Sequence, residues 1–219
     1  MRSFRNKRIY FGISLIAVFL LWTLAVAFVD VRAIGPKGSS VGLAGLNGFI
    51  HDVTGENLLL YTVTDYLSIV PFLVVGGFAF LGAWQLIRRR SILKVDKSIL
   101  VLGVFYIVVL FAYLAFKIIV INYRPVLIDG VLEASYPSST TMLVMCVMPT
   151  LPLQLKHRIN NKALRWVVTC ATVAFVLFMV LARLISGVHW VTDIIGGAML
   201  SAGLVLLYDG ICRALKVYR

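Results

Sequence analysis

Six apolar runs, at roughly residues 9–29, 62–87, 98–121, 138–155, 163–186 and 189–209, leave this chain few ways to fold. All but the fourth are near or above the ~20 residues that a helix needs to cross the hydrocarbon core of a bilayer. The fourth is shorter and carries Pro149 and Pro152 near its far end. A closed barrel would need ten-residue segments of alternating polarity, and these are missing, so the spans are read as helices that satisfy their own backbone hydrogen bonds. With 61% hydrophobic and 14% charged residues over a length of 219, the composition excludes an ordinary water-soluble domain. The expected fold is all-α and polytopic. It has six transmembrane helices and a short interfacial helix in the first outer loop, forming a single membrane-embedded domain over residues 1–219 with its core at 98–209. The first run is too long for the apolar part of a signal peptide and is read as a span that is retained.

Charge sets the orientation. Sixteen of the 21 basic residues fall in four segments that six spans would place on one side: Arg2 to Arg8, Arg88 to Lys97, Lys156 to Arg165, and Arg213 to Arg219. The bias of Lys and Arg makes that side cytoplasmic, with both termini inside. The net charge of +12 is therefore spread in short clusters between spans, which argues against a nucleic-acid partner and for the lipid bilayer. The other five cations, Arg32, Lys37, Lys117, Arg124 and Arg183, fall at the outer edge with seven of the nine acids.

Three polar clusters stand at that edge. The stretch Arg183-Leu184-Ile185-Ser186-Gly187-Val188-His189-Trp190-Val191-Thr192-Asp193 puts ionisable groups where a membrane chain carries them only at a cost. If it is helical, the i,i+4 spacing sets the Asp193 carboxylate beside the His189 imidazole, where it can fix the tautomer and support a base or a nucleophile. The alternative is an interfacial histidine next to an aspartate favoured by a helix start. Lys117 and Arg124 are nearly two helical turns apart and are expected on one helix face, with Pro125 ending the helix. Tyr136-Pro137-Ser138-Ser139-Thr140-Thr141 opens the fourth span, where free N–H groups and hydroxyls can hold an anion or simply cap the helix. Together, the cations and the oriented donors suit a phosphate dianion, gripped by guanidinium groups and attacked by His189. No carboxylate cluster suited to magnesium is visible, so the expected chemistry needs no metal or other cofactor.

These residues carry a resemblance to the type 2 phosphatidic acid phosphatase superfamily, whose motifs read KxxxxxxRP, PSGH and SRxxxxxHxxxD. Lys117, Arg124 and Pro125 match the first in full; Arg183, His189 and Asp193 match the third, with Ala182 in place of its serine. The resemblance implies that His189 forms a phosphohistidine oriented by Asp193, while Lys117, Arg124, Ser138 and Arg183 bind phosphate; Ser139 belongs to the same anion site. The second motif departs from the family, because Thr140 stands where a histidine is implied to protonate the leaving oxygen. Threonine is no acid near neutral pH. The expectation is an outer-face lipid phosphatase or diphosphatase in a bacterial plasma membrane. Its substrate would be a lipid diphosphate such as undecaprenyl diphosphate, whose lipid monophosphate leaves without that proton more readily than an alkoxide does, with phosphatidate-type lipids as the alternative. A substitute acid, either His51 or another outer-loop group, is a second expectation. The rival is a catalytically impaired relative that binds, senses or transports phospholipid. Asp65 is expected to orient a basic group or to end a helix in water, and His157 to be a bystander. Cys146, Cys170 and Cys212 are expected to be packing residues rather than metal ligands. Gly197 and Ser201 form a small-xxx-small pair expected to pack helices within the monomer, with a dimer contact as the alternative.

Overall fold

The computed structural model describes residues 2–217, with side chains from residue 7 onward, so that Arg219 and the side chains of Arg2 and Arg5 lie outside the described part. The helices are α1 (Arg2–Phe28), α2 (Ala44–Thr54), α3 (Leu58–Leu67), α4 (Ile69–Arg89), α5 (Lys97–Ile118), α6 (Ser139–Val147), α7 (Thr150–Leu155), α8 (Lys162–Ile185) and α9 (Val191–Ala214). The chain is all-helical apart from short 3₁₀ turns and isolated bridges. Among the described residues, five helical segments are long and apolar enough to cross a membrane: Lys7–Phe28, Leu58–Arg89, Lys97–Ile118, Lys162–Ile185 and Val191–Ala214. They turn large apolar side chains outward, among them Leu21, Phe72, Phe111 and Leu177, as a lipid-facing surface does and a water-facing one does not.

The fourth apolar run is broken. Its helices α6 and α7 meet at Met148 and Pro149, and the stretch Ser139–Leu155 falls below the length of the other spans. Pro152 sits in the first turn of α7, where its missing N–H leaves no helix hydrogen bond unmade. Although short, α6 lies at the centre, packed against α4, α5, α8 and α9. Gly197 and Ser201 of α9 face it: a Cβ on Gly197 would come within 3.1 Å of the Ser138 carbonyl, and the Ser201 hydroxyl donates to the Met142 carbonyl at 3.4 Å. The small pair thus packs helices within the chain, as expected.

The main partner of α9 is α1, rather than the α8 that precedes it. Gly12 and Gly203 let the two backbones approach, since a Cβ on Gly12 would sit 3.0 Å from the Gly203 carbonyl. At the far end of this pair, buried Asp209 takes Arg8 and Arg213 as ion partners, the latter at 2.9 Å. Asp96 binds Arg89 at 2.9 Å, Arg158 at 3.0 Å and Gln85 at 2.9 Å, tying the α4–α5 connection to the segment after α7.

Two expectations need correction. Helix α5 stops at Ile118, and Ile119 is already extended, so Lys117 and Arg124 do not share a helix face. The β-branched run Ile118-Ile119-Val120-Ile121 ahead of Pro125 favours extended backbone over another helical turn. The amphipathic run at Leu43 to Leu60 also divides, since α2 ends at Gly55 and α3 continues through Ser68 into α4.

Candidate active site

The corner between α8 and α9 determines where everything else sits. Gly187 turns it with φ of +67°, and a Cβ there would come within 2.0 Å of the Gly55 carbonyl. The α2–α3 connection lies directly against this corner, and the Asn57 N–H donates to the Ser186 carbonyl at 3.0 Å. Both the backbone conformation and the close approach demand glycine. Gly187→Ala is expected to cost at least ~2 kcal/mol through strain and displacement of the connection. A lowered melting temperature of the purified protein in detergent checks this, and an unchanged one contradicts it.

His189 lies in this corner, ahead of α9 rather than on it, and the helix begins at Val191. The pairing with Asp193 survives by a different route. Asp193 occupies the first turn of α9, and its Oδ2 accepts from the Trp190 N–H at 3.0 Å. The same oxygen lies 3.4 Å from His189 Nδ1. Both side chains are buried. Neither imidazole nitrogen makes a hydrogen bond of ordinary geometry inside the protein, although the Ser135 carbonyl faces the ring. A long contact of this kind commonly tightens when substrate arrives. Burial, followed by the nearby Arg124 and Arg183 cations, holds the imidazole well below its ordinary titration range and so keeps it neutral.

Arg183, in the last turn of α8, is 2% exposed and is held through both of its Nη atoms. Nη1 donates to the Thr64 hydroxyl at 3.1 Å and the Tyr61 carbonyl at 3.3 Å; Nη2 donates to the Thr140 hydroxyl at 2.7 Å and reaches Asp65 at 3.4 Å. Asp65 does orient a basic group. Thr140, at the position of the missing histidine, is an acceptor for the arginine. Tyr61 and Thr64 were not singled out in the sequence, because nothing in their spacing marks residues of an ordinary apolar helix as partners of a cation 120 positions away.

Arg124 is held by irregular backbone. Its N–H donates to the Glu133 carbonyl at 3.0 Å, and its side chain pairs with the Glu133 carboxylate at 3.0 Å. The neighbouring Tyr123 carbonyl accepts the Trp190 indole N–H at 2.7 Å, which ties Arg124 to the residue after His189. Ser138 caps α6, with its hydroxyl accepting from Thr141 N–H at 3.4 Å, and its own N–H donates to the Asp193 carbonyl at 3.0 Å. Its side chain is therefore occupied by capping, and Ser139 is the hydroxyl that faces open space. His51 packs on the Trp190 ring, with centroids 5.4 Å apart.

Two cavities meet at Tyr113, Ser139 and Met142. One, of about 480 Å³, is polar and lined by Lys117, Arg124, Glu133 and Ser135. Lys117 and Arg124 are thus brought to one space without sharing a helix. The other, of about 530 Å³, is apolar, running from Asp65, Ser139 and Thr140 to Phe72, Ile107, Leu110 and Leu143. The described residues include no group of three or more His, Cys, Asp or Glu side chains placed to hold a metal ion.

Comparison with known proteins agrees with the all-helical membrane fold. The model of the PAP2 superfamily matches residues 98–211. Among solved structures, the chain is similar to a transmembrane PAP2-type phosphatidylglycerolphosphate phosphatase from Bacillus subtilis, with a TM-score of 0.66 and 22% identity over 96% of this chain and 100% of that one. No curated protein sequence matches it significantly.

Proposed function

The chain belongs to the PAP2 superfamily, an integral membrane phosphatase fold, and from that premise we propose an outer-face lipid phosphatase that works through a phosphohistidine. The observation that carries the reading is His189: its Nδ1 is turned to a buried carboxylate, and its Nε2 is free of any partner. Nε2 attacks phosphorus, the N–P bond forming as the bridging P–O bond breaks. Lys117, Arg124 and Arg183 take up the charge on the equatorial oxygens, and Ser139 and the first N–H groups of α6 complete the cradle. Water then displaces the imidazole and releases phosphate. This scheme assigns charge neutralisation to side-chain cations and needs no metal.

The 16 basic residues clustered away from the site support a topology with cytoplasmic termini and the site at the opposite face. In this arrangement the broken α6–α7 pair completes six crossings, α2 rests in the outer interface, and residues 1–219 form a single unit. The apolar cavity beside Ser139 and Thr140 suits a lipid chain. Because Thr140 serves as an acceptor for Arg183 and supplies no acid, the preferred substrate is a lipid diphosphate, whose leaving phosphate has its second pKa at only ~6.

The test is phosphate release in detergent from undecaprenyl diphosphate and from phosphatidate. Release from the diphosphate at well above the monophosphate rate supports the reading, whereas equal or faster release from phosphatidate removes the substrate assignment. No release from either substrate leaves the rival reading, a phospholipid-binding or transporting protein. A pH profile adds a second check. With the His189 pKa lowered, its neutral nucleophilic form persists as pH falls below 6.5, so the acid limb of kcat/KM is expected below that value. A limb centred above 6.5 contradicts a buried neutral nucleophile.

A further inference from the structure

Arg124 and Arg183 carry like charges into one small space, and a single ring serves both. The Tyr61 ring centroid lies 4.6 Å from Arg183 Cζ and 5.9 Å from Arg124 Cζ. We propose that Tyr61 is a positioning residue for phosphate binding, an aromatic platform that holds both guanidinium groups through their planes while Arg183 Nε and Arg124 Nη1 keep an N–H without a partner. The proposal rests on the phosphate site described above.

Two guanidinium groups this near one another repel in a weakly screened environment. A carboxylate between them would relieve that repulsion, but it would occupy the N–H groups that phosphate needs. The negative face of an aromatic ring attracts each cation through its plane instead. One N–H position on each arginine then stays available: buried Nε of Arg183 and Nη1 of Arg124 have no hydrogen-bond partner in the protein. Asp65 and Glu133 each pair with one arginine, at 3.4 Å and 3.0 Å, from side chains that are 62% and 44% exposed, so neither carboxylate lies between the two cations as the ring does.

Tyr61 is also well placed to hold position. Tyr61, Thr64 and Asp65 recur at i, i+3 and i+4 on α3, which is one helix face, and all three reach Arg183. The start of α3 is locked to the His189 corner by the Asn57–Ser186 hydrogen bond and the Gly55–Gly187 approach. Tyr61 lies outside residues 98–211, so this part of the site comes from the N-terminal half of the chain.

The experiment measures binding of inorganic phosphate and of orthovanadate to the full chain purified in detergent. The forms compared are wild type, Tyr61→Phe, Tyr61→Leu, and phenylalanines carrying one, two and three ring fluorines incorporated at position 61. Tyr61→Phe is expected to bind within about threefold of wild type, and Tyr61→Leu about tenfold or more weakly, as the loss of two cation–π contacts implies. Affinity is expected to fall stepwise with fluorination, which drains the ring face while keeping its shape. In turnover, KM rises in Tyr61→Leu with kcat changed less. The platform role is overturned if Phe loses as much as Leu, if Leu binds as wild type does, or if fluorination has no effect. Should Tyr61→Leu not fold, the fluorinated series decides. Wild-type protein that binds neither anion overturns the phosphate site itself, which separates that failure from a failure of Tyr61.

Discussion

Replacing His189 by alanine is expected to lower phosphate release on the order of 10⁵-fold, because the nucleophile has no substitute. Asp193 is held by the Trp190 N–H and Thr140 is bound to Arg183, so neither is placed to take over the attack. His51 lies against Trp190 rather than inside the cation cluster. Asp193→Asn keeps the shape but loses the charge that holds the imidazole and supports its positive form; it is expected to lose roughly 10²–10⁴-fold. The decisive readout is covalent. Quenched turnover of phosphorus-labelled lipid should leave label on wild-type protein that is stable in base and labile in acid, as a phosphoimidazole is. The label should be absent from His189→Ala. Label retained by that variant, or label absent from an actively turning-over wild type, defeats the phosphohistidine reading. The rival binding protein predicts a different pattern, with wild type and variant equal in turnover.

How much of this was readable in advance depends on the kind of signal each residue leaves. The spans were legible, because roughly 20 apolar residues in a row admit little else, and five of them stand in the structure within a few residues of expectation. The candidate site is legible through cost. Charged groups at Lys117, Arg124, Arg183 and Asp193 are expensive between apolar runs, and their spacing matches a family pattern. How those groups are held was not legible. Lys117 and Arg124 were expected on one helix face, but the helix ends between them, and they meet only because both line one cavity. His189 and Asp193 were expected on one helix, yet a corner and a first turn bring them together. In each case the residue spacing was right and the backbone inferred from it was wrong. Tyr61 and Thr64 left no signal, because a tyrosine or threonine on an apolar helix looks the same whether it packs or holds an arginine. Their role is set by contacts between α3 and α8, which local sequence does not encode.

Thr140→His should change which leaving groups the site accepts more than how tightly it binds. Without a proton donor, departure of an alkoxide from a monoester is slow, whereas a leaving phosphate, already a weak base, departs unaided. The wild-type rate should therefore fall steeply as leaving-group pKa rises. A histidine at this position would supply the proton, and a general acid contributes typically 10²–10⁴-fold. An increase of about 10²-fold is expected on phosphatidate, with little change on the diphosphate and a flatter dependence on leaving-group pKa. The new acid should also bring a basic limb to the monoester pH profile, since only the protonated imidazole can donate. The exchange has a cost, because Thr140 is a 2.7 Å acceptor for Arg183. Thr140→Val isolates it. A hydrogen bond to a charged group contributes ~1.5–3 kcal/mol, so valine should weaken binding of both substrates by at least about tenfold, through KM. The two variants then separate the roles of a single position. If Thr140→His depresses monoester and diphosphate hydrolysis in the same proportion as Thr140→Val, the position serves only the arginine. Substrate preference would then have to come from the cavities instead. If the monoester rate rises while that of the diphosphate holds, the leaving-group proton is what this chain lacks, and its choice of substrate follows from that.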